Sequence, residues 1–319
     1  MSLGSTAGLR AADDALAASI ERAGASVTVA RAAPPRSVRT LALTDYVWAR
    51  AARDAARAGL RSAPGEVVIY STMTAALLAP LPGAIRFDAL AAGNRPGRDG
   101  IWQRPLERRR LAAAPLLIPW SAASLAGAPT DHAPAVVVPV AVGSSGPARP
   151  WWERDIAAIT YAANPRKKGL DRVLEAWGRV RQDGELLLVA GIDESPQAEG
   201  VRAVGRLAPR DYRALLRRAR VFVTAPRRED YGIAQLEALA DGCLLVTTPA
   251  PGPYVALELA RSLDPRLVSD DLGAALRLAL DDPLPAYGAA AERALERFST
   301  GHVDYVVAQE LLPRLFSAS

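Results

Sequence analysis

The stretch VFVTAPRREDYGIAQLEALADGCLLVTTP, residues 221–249, decides the fold. VFVTA (221–225) is a short β-branched and aromatic run of the kind that forms a buried strand. A charged connection from Pro226 to Asp230 leads into Tyr231 and Gly232, and strong helix formers follow as far as Asp241. Gly242 stands where a C′ glycine ends a helix, and LLVTT (244–248) reads as the next strand. Strand, loop, helix and strand in that order make one crossover of a parallel α/β sheet. Such sheets gather ligands at the carboxyl ends of their strands, which puts the chemistry in the loop after VFVTA.

That loop and its helix carry two carboxylates eight positions apart, Glu229 before the helix and Glu237 inside it. Gly232 removes a Cβ at the helix entrance, so a ligand can approach the backbone. The free N–H groups and dipole of the first turn favour an anion such as a diphosphate. Two glutamates flanking that entrance suit sugar and ribose hydroxyls. On spacing alone, Glu229 could equally complement the helix dipole and Glu237 be a solvated helix residue.

The same alternation extends in both directions. IAAITYA (156–162) and ELLLVAG (185–191) read as strands, NPRKKGL as a loop, and DRVLEAWGRV, DYRALLRRA, residues 254–263 and DDLGAALRLAL as helices. In the first half, SVTVA (26–30), EVVIY (66–70), AIRFD (84–88), PLLIP (115–119) and AVVVP (135–139) are short apolar runs with helical segments between them, which argues for a parallel sheet covered on both faces. A helix capped by Thr44 or Asp45 is expected to run to about Gly59. The small-residue loop Gly4-Ser5-Thr6-Ala7-Gly8 has only MSL before it, so a first strand is reduced or lost; a start codon further upstream would explain this. The loop lacks GxGxxG, so there is no dinucleotide fingerprint. Residues 91–110 form a long Gly-, Pro- and Arg-rich connection, of a length that often carries function. Residues 141–153 read as an interdomain linker, with Trp151 and Trp152 packing at the junction. VDYVVAQELLPRLF (303–316) is amphipathic, and Pro313 should bend it.

At 319 residues, half of them hydrophobic, the chain suits two domains with sizeable cores. No apolar run is long enough for a transmembrane helix, and no signal peptide is visible. Cys243 is the one cysteine, so no intramolecular disulfide forms, and the cytoplasm fits best. The net charge of +5 suits acidic ligands or an anionic membrane surface and is too mild for nucleic acid. Of 39 basic residues only Lys167 and Lys168 are lysine, and they are adjacent in one loop.

The string PxxEDYGIxQLEALADGxLLVTTP resembles the E-x7-E signature of the family-4 retaining glycosyltransferases, usually PSxxEGFGxxxLEAxAxGxPVV. TYAANPRKKGLDRVLEAW (160–177) resembles that family's GRxxxxKGxxxLIEAW, and residues 201–226 its VxFLGxVxxxxLxxLYxxADVFVxPS. The resemblance runs from about residue 155 to 260 and is that of a divergent, actinobacterial-type member. It implies the GT-B fold: two Rossmann-like domains with parallel sheets facing a cleft. The expected division is 1–145, with the terminal helix 303–319 packing back on it, and 150–302 for nucleotide-sugar binding.

The implied activity is transfer of a sugar from a nucleotide-diphosphate sugar to an acceptor hydroxyl with retention, without an enzymic nucleophile. Lys168, matching the family's lysine, and Arg166 stabilise the leaving diphosphate; Glu229 holds the sugar's hydroxyls and Glu237 the ribose. Tyr231, Gly232, Ile233, Lys167 and Gly205 are further donor-binding positions. The family's arginine falls on Ala162 and is missing. Acceptor-side candidates are Ser5, Thr6, Asp88, Asn94 and Arg95, Asp88 standing near the place of a loop histidine that the chain lacks. With no D-x-D triplet and no Cys/His cluster at ligand spacing, no metal and no cofactor is expected. Two other readings stay open: a nucleotide-sugar epimerase, and a degenerate, non-catalytic GT-B protein.

Overall fold

The structure, a computed structural model, describes residues 1–147 and 149–317. The chain divides into two compact units, Met1–Ala141 together with the chain from Phe298 onward, and Val142–Arg297.

In the first unit, α1 (Ala7–Arg22), α2 (Leu41–Ser62), α3 (Met73–Leu77), α4 (Ala91–Asn94) and α5 (Gln103–Ala113) surround three parallel strands. These are β1 (Ile69–Tyr70), β2 (Ala84–Phe87) and β3 (Leu117–Pro119), paired in the order β1-β2-β3. On either side the sheet continues as isolated parallel bridges, Ser2 with Arg31 and Leu117 with Ala135. MSL is therefore the reduced first strand: Leu3 is buried, and Met1 O accepts the Ser71 N–H at 3.0 Å.

SVTVA does not form the expected strand. Its neighbour is only these few residues long, so Ala30 O takes the Ser2 N–H at 2.8 Å and regular pairing extends no further. AVVVP is also not a strand, because Pro134 and Pro139 bracket it and lack the N–H a ladder needs. Val136 and Val138 still donate to Leu117 O and Pro119 O. The cap of α2 is Thr40, whose hydroxyl accepts Leu43 N–H at 3.2 Å, rather than Thr44 or Asp45. Asp45 is buried inside the helix.

Side chains alternate across β2 and β3. Ile85, Phe87 and Leu117 enter one core with Tyr70, Met73 and Leu111. Ala84, Leu116 and Ile118 enter a second with Leu16, Ile20, Val303 and Leu311. Both faces of the sheet are thereby covered.

The second unit holds β4 (Ile156–Tyr161), α6 (Pro165–Lys168), α7 (Leu170–Val180), β5 (Leu187–Ala190), β6 (Val201–Gly205), α8 (Pro209–Leu216), β7 (Ala219–Thr224), α9 (Ile233–Ala240), β8 (Leu244–Thr247), α10 (Val255–Leu263), α11 (Leu272–Asp281) and α12 (Tyr287–Leu295). Its five parallel strands run β6-β5-β4-β7-β8. The chain starts in the middle, builds outward to β6, then returns to place β7 on the other side of β4. The loops after β4 and β7 diverge there, and such a switch point opens a crevice at the strand ends. Burial on both faces explains why these strands read as unbroken apolar runs. β6, an edge strand with partly exposed side chains, gave no such signal.

NPRKKGL is not a plain loop. Asn164 accepts Lys167 N–H at 3.0 Å, Pro165 occupies the first turn, and Gly169 (φ 65°) closes the helical turn α6. Of the expected linker, Ser145 donates to Asp241 Oδ1 from its N–H (2.8 Å) and its hydroxyl (2.9 Å), and Gly143 O accepts from Arg213 at 2.7 Å. Trp151 faces the Arg220 guanidinium, whereas Trp152 is 79% exposed.

At the carboxyl end, α13 (Thr300–Val306) and α14 (Leu312–Ser317) are joined by a π turn, Val307–Leu311. Pro313 lacks an N–H and crowds the carbonyl four residues back, and the wider turn takes up that misfit. These helices belong to the first unit, where Asp304 receives Ser19 and both nitrogens of an Arg22 fork at 2.6–2.7 Å. No helix among the described residues is long and apolar enough to cross a membrane.

Candidate functional site

Three loops at the carboxyl ends of β4, β7 and β8 are stitched together through their backbones. Lys167 O accepts the Arg227 N–H at 3.0 Å, and Arg166 O accepts the Arg227 guanidinium at 2.8 Å. Glu229 N–H donates to Pro251 O at 3.2 Å. Two glycines make this close approach possible. A methyl group on Gly169 would fall 1.8 Å from Ala225 O, and one on Gly252 (φ 117°) 2.1 Å from Glu229 O. Arg227 also makes a fork with Asp171, whose carboxyl it holds down at about 2.

Within this frame the Lys168 ammonium is ion-paired with Glu229 Oε2. Glu229 is buried, its side chain 7% exposed. The same oxygen accepts Gln235 Nε2 at 3.3 Å, from the first turn of α9. Gln235 Nε2 also reaches the Tyr254 hydroxyl at 3.2 Å, which lies 3.0 Å from Thr247 Oγ1. Burial pushes the Tyr254 hydroxyl far up, so it stays protonated. Beside this chain Lys167 Nζ meets Asp230 Oδ2 at 3.2 Å, and Arg228 meets Asp230 Oδ1 at 2.8 Å. Gln235 Oε1 and Thr248 Oγ1 are buried with no hydrogen-bond partner among the described residues. Unpaired buried polar atoms are costly, so these two call for a polar partner beside the ionised groups.

Glu237 stands apart from this cluster. Two positions beyond Gln235, it leaves α9 on another face and lies 3.8 Å from Arg213 Nη1. Burial, more than the partly compensating Arg213, raises its carboxyl above the ordinary range. Tyr161 and Tyr212 lie near it, their hydroxyls raised chiefly by burial. Arg213 itself is anchored to Asp241 at 2.5 Å.

Other candidates have structural employment. Gly232 has φ 96°, and a Cβ there would meet Ala256 at 2.9 Å and the Tyr254 ring at 3.0 Å. Its missing side chain accommodates packing from within the fold. Tyr231 is buried, with its carbonyl accepting Ala256 N–H; Ile233 follows at the start of α9, half-buried. Gly205 lies at the far edge of the sheet, its N–H on Ile192 O and its carbonyl taken by Gly191 N–H. Arg166 is exposed and offers its side chain to no partner among the described residues. Ala162, where the resembled family carries arginine, is 1% exposed.

In the first unit Thr6 caps α1 by accepting Leu9 N–H, Ser5 is half-buried before it, and Asp88 accepts the N–H of Ala89. Asn94 Oδ1 faces Arg95 Nη1 at 3.3 Å. Arg95 is committed to a two-point contact with Asp45 at 2.6 and 3.0 Å. Gln103 also donates to Asp45, and buried Glu107 caps α4 through the N–H groups of Ala91 and Ala92. This polar scaffold holds the turn after β2.

Sequence reading missed Gln235, Tyr254, Asp230 and the buried Arg86–Asp13 pair of the first unit. Gln235 carried a signal, a buried-face polar residue in an otherwise apolar helix. Tyr254 carried none, since its role depends on a contact across the fold.

Residues 154–282 match the family model of glycosyl transferases group 1. That span contains every residue of the Lys168–Glu229 cluster. No curated protein matches the sequence. Among solved structures, WaaG, a glycosyltransferase involved in lipopolysaccharide biosynthesis, is similar with TM-score 0.67 and 16% identity, over 94% of this chain and 96% of that one. A sucrose-phosphate synthase from Thermosynechococcus elongatus has TM-score 0.62 and 17% identity, over 90% and 82%. A UDP-forming α,α-trehalose-phosphate synthase from Burkholderia xenovorans, in complex with glucose-6-phosphate, has TM-score 0.63 and 13% identity, over 85% and 80%. The fold is GT-B.

Proposed function

We propose that this protein is a retaining glycosyltransferase of the family-4 type that takes its sugar from a nucleoside-diphosphate donor. The observation that carries the reading is the Lys168–Glu229 ion pair at the mouth of α9, at the switch point of the second sheet. A diphosphate at that mouth meets one ammonium and the N–H groups of a helix start, the preorganised positive charge a departing phosphate needs. Glu229, exchanging Lys168 for sugar hydroxyls, orients the transferred sugar; Glu237, on its separate face, suits the ribose. Arg166 and Lys167 supply further charge, and Tyr231, Gly232 and Ile233 shape the surroundings, with Gly205, at the sheet edge, a more distant donor-side candidate. The acceptor hydroxyl attacks from the face the diphosphate leaves, a phosphate oxygen taking its proton, with no metal or other cofactor. Ser5, Thr6, Asp88, Asn94 and Arg95 remain the acceptor-side candidates, and the cytoplasm the expected compartment.

Nucleoside-diphosphate release from a panel of UDP-, GDP- and ADP-sugars tests this. Steady turnover with one donor, reduced by ~10²–10³ in Lys168→Ala and abolished in Glu229→Ala, supports transfer, and an unchanged anomeric configuration in the product supports retention. Nucleotide binding without turnover on any donor would indicate a non-catalytic GT-B protein, the reading favoured by Ala162. Interconversion of two sugar nucleotides without diphosphate release would indicate an epimerase.

A further inference from the structure

The positive charge of this chain is concentrated in one part of the first unit. Residues 36–62 and 95–110 hold twelve arginines against four acids, a surplus of eight where the whole chain has five, so the remainder is net acidic. Two of the four acids, Asp45 and Glu107, are buried.

A group of exposed apolar side chains lies in the same place. Leu41, Leu43 and Tyr46 at the start of α2 are 49%, 51% and 43% exposed, and Ile101, just before α5, is 67% exposed. The two segments form one surface: the Tyr46 and Trp102 rings meet edge to face at 5.9 Å, and Trp102 Nε1 donates to Ala42 O at 3.1 Å. Along α2 the spacing of Leu43, Tyr46, Arg50, Arg53, Arg57 and Arg61 continues this apolar tip as a basic stripe. On α5, Arg104, Arg108 and Arg109 are exposed.

We infer that this face docks on the surface of an anionic lipid bilayer, with Leu41, Leu43 and Ile101 entering the acyl boundary, Tyr46 and Trp102 at headgroup depth, and the arginines on lipid phosphates. Aliphatic tips ringed by aromatic and basic groups are the composition of an interfacial anchor. A second copy of this chain would bring the same positive face and be repelled. A nucleic acid would gain nothing from the aliphatic tips. The inference is independent of the transferase reading: Arg95, paired with Asp45, counts in the charge, but no docking group named here belongs to that site.

Co-sedimentation of the full chain with vesicles tests it, comparing phosphatidylcholine alone with phosphatidylcholine containing phosphatidylglycerol. Binding to the anionic vesicles only is expected, weakened by salt. It should fall by about tenfold or more in Arg104→Glu/Arg108→Glu and clearly in Leu43→Ser/Ile101→Ser, exposed positions where folding is not at stake. Arg261→Glu/Arg293→Glu, the same charge change in the second unit, should leave it intact. No binding to anionic vesicles, equal loss in the control, or indifference to the apolar pair would overturn the inference. So would tight binding to RNA by a protein that leaves the vesicles untouched.

Discussion

Lys168 and Glu229, 61 residues apart in the chain, form one ion pair where the order of the second sheet reverses. The lysine comes from the connection after β4 and the glutamate from the loop after β7, so the pair adds a side-chain tie to the backbone contacts that join them. Both side chains are mostly shielded from water. A shielded charge that loses its partner costs more than the pair contributed.

Lys168→Met should therefore destabilise the protein by about 1–3 kcal/mol, and adding Glu229→Gln should recover much of that loss. Urea midpoints of the four proteins give the coupling between the two positions. Strictly additive effects would mean that the two groups do not interact in the folded chain.

Gly169→Ala and Gly252→Ala should be far more damaging than Gly184→Ala. All three glycines have positive φ, but at Gly184 a methyl group meets nothing within 4 Å. At Gly169 and Gly252 it meets backbone carbonyls that cannot rotate away. The expected loss is about 1 kcal/mol at Gly184 and more than about 3 kcal/mol at the other two, read from thermal or urea unfolding.

Arg86 lies in the middle of β2 with its guanidinium 3.2 Å from Asp13 and 4.8 Å from the centre of the Trp120 ring. Ser2 donates to the other Asp13 oxygen at 2.5 Å. Arg86→Met would leave Asp13 buried without its partner, a loss of about 3–5 kcal/mol that Asp13→Asn should partly restore. Burial, opposed by Ser2 and Arg86, holds the Asp13 carboxyl above its ordinary value. The folded state thus takes up this proton more readily than the unfolded one. The associated stability is present below about pH 4 and is lost as pH rises through the raised value. Stability-versus-pH curves of the wild type and Asp13→Asn should differ in that sense; a difference of opposite slope would contradict it.

Asp171 behaves in the opposite way. Arg227 holds its carboxyl at about 2, so the contribution is present above pH 4 and lost as pH falls toward 2. The pair is exposed, so Asp171→Asn should cost only about 0.2–1 kcal/mol at neutral pH. The gap between mutant and wild type should close at acid pH.

Much of the second unit was legible because its strands are covered on both faces. Runs such as IAAITY and VFVT are almost wholly apolar and buried along their length. The first unit was harder to read. Its outer strands are held by one or two backbone contacts, and no pattern of side chains distinguishes SVTVA, which fails to pair, from AIRF, which does. Thr40 displaced Thr44 as the cap because both hydroxyls are suitable and only the path of the entering chain decides between them. Arg86 gave no warning of burial, since its partner Asp13 lies on another element.

The sequence by itself determined that Lys168 and Glu229 occupy connections at the carboxyl ends of parallel strands, because strand and helix periodicity are local properties. The tertiary structure alone decided that those two groups touch, that Gly232 serves packing within the fold, and that Gln235, Tyr254 and Thr247 stand behind Glu229. The reason is that strand order is not written in local periodicity. It emerges when crossovers stack β7 beside β4, and only then do residues distant in the chain acquire neighbours.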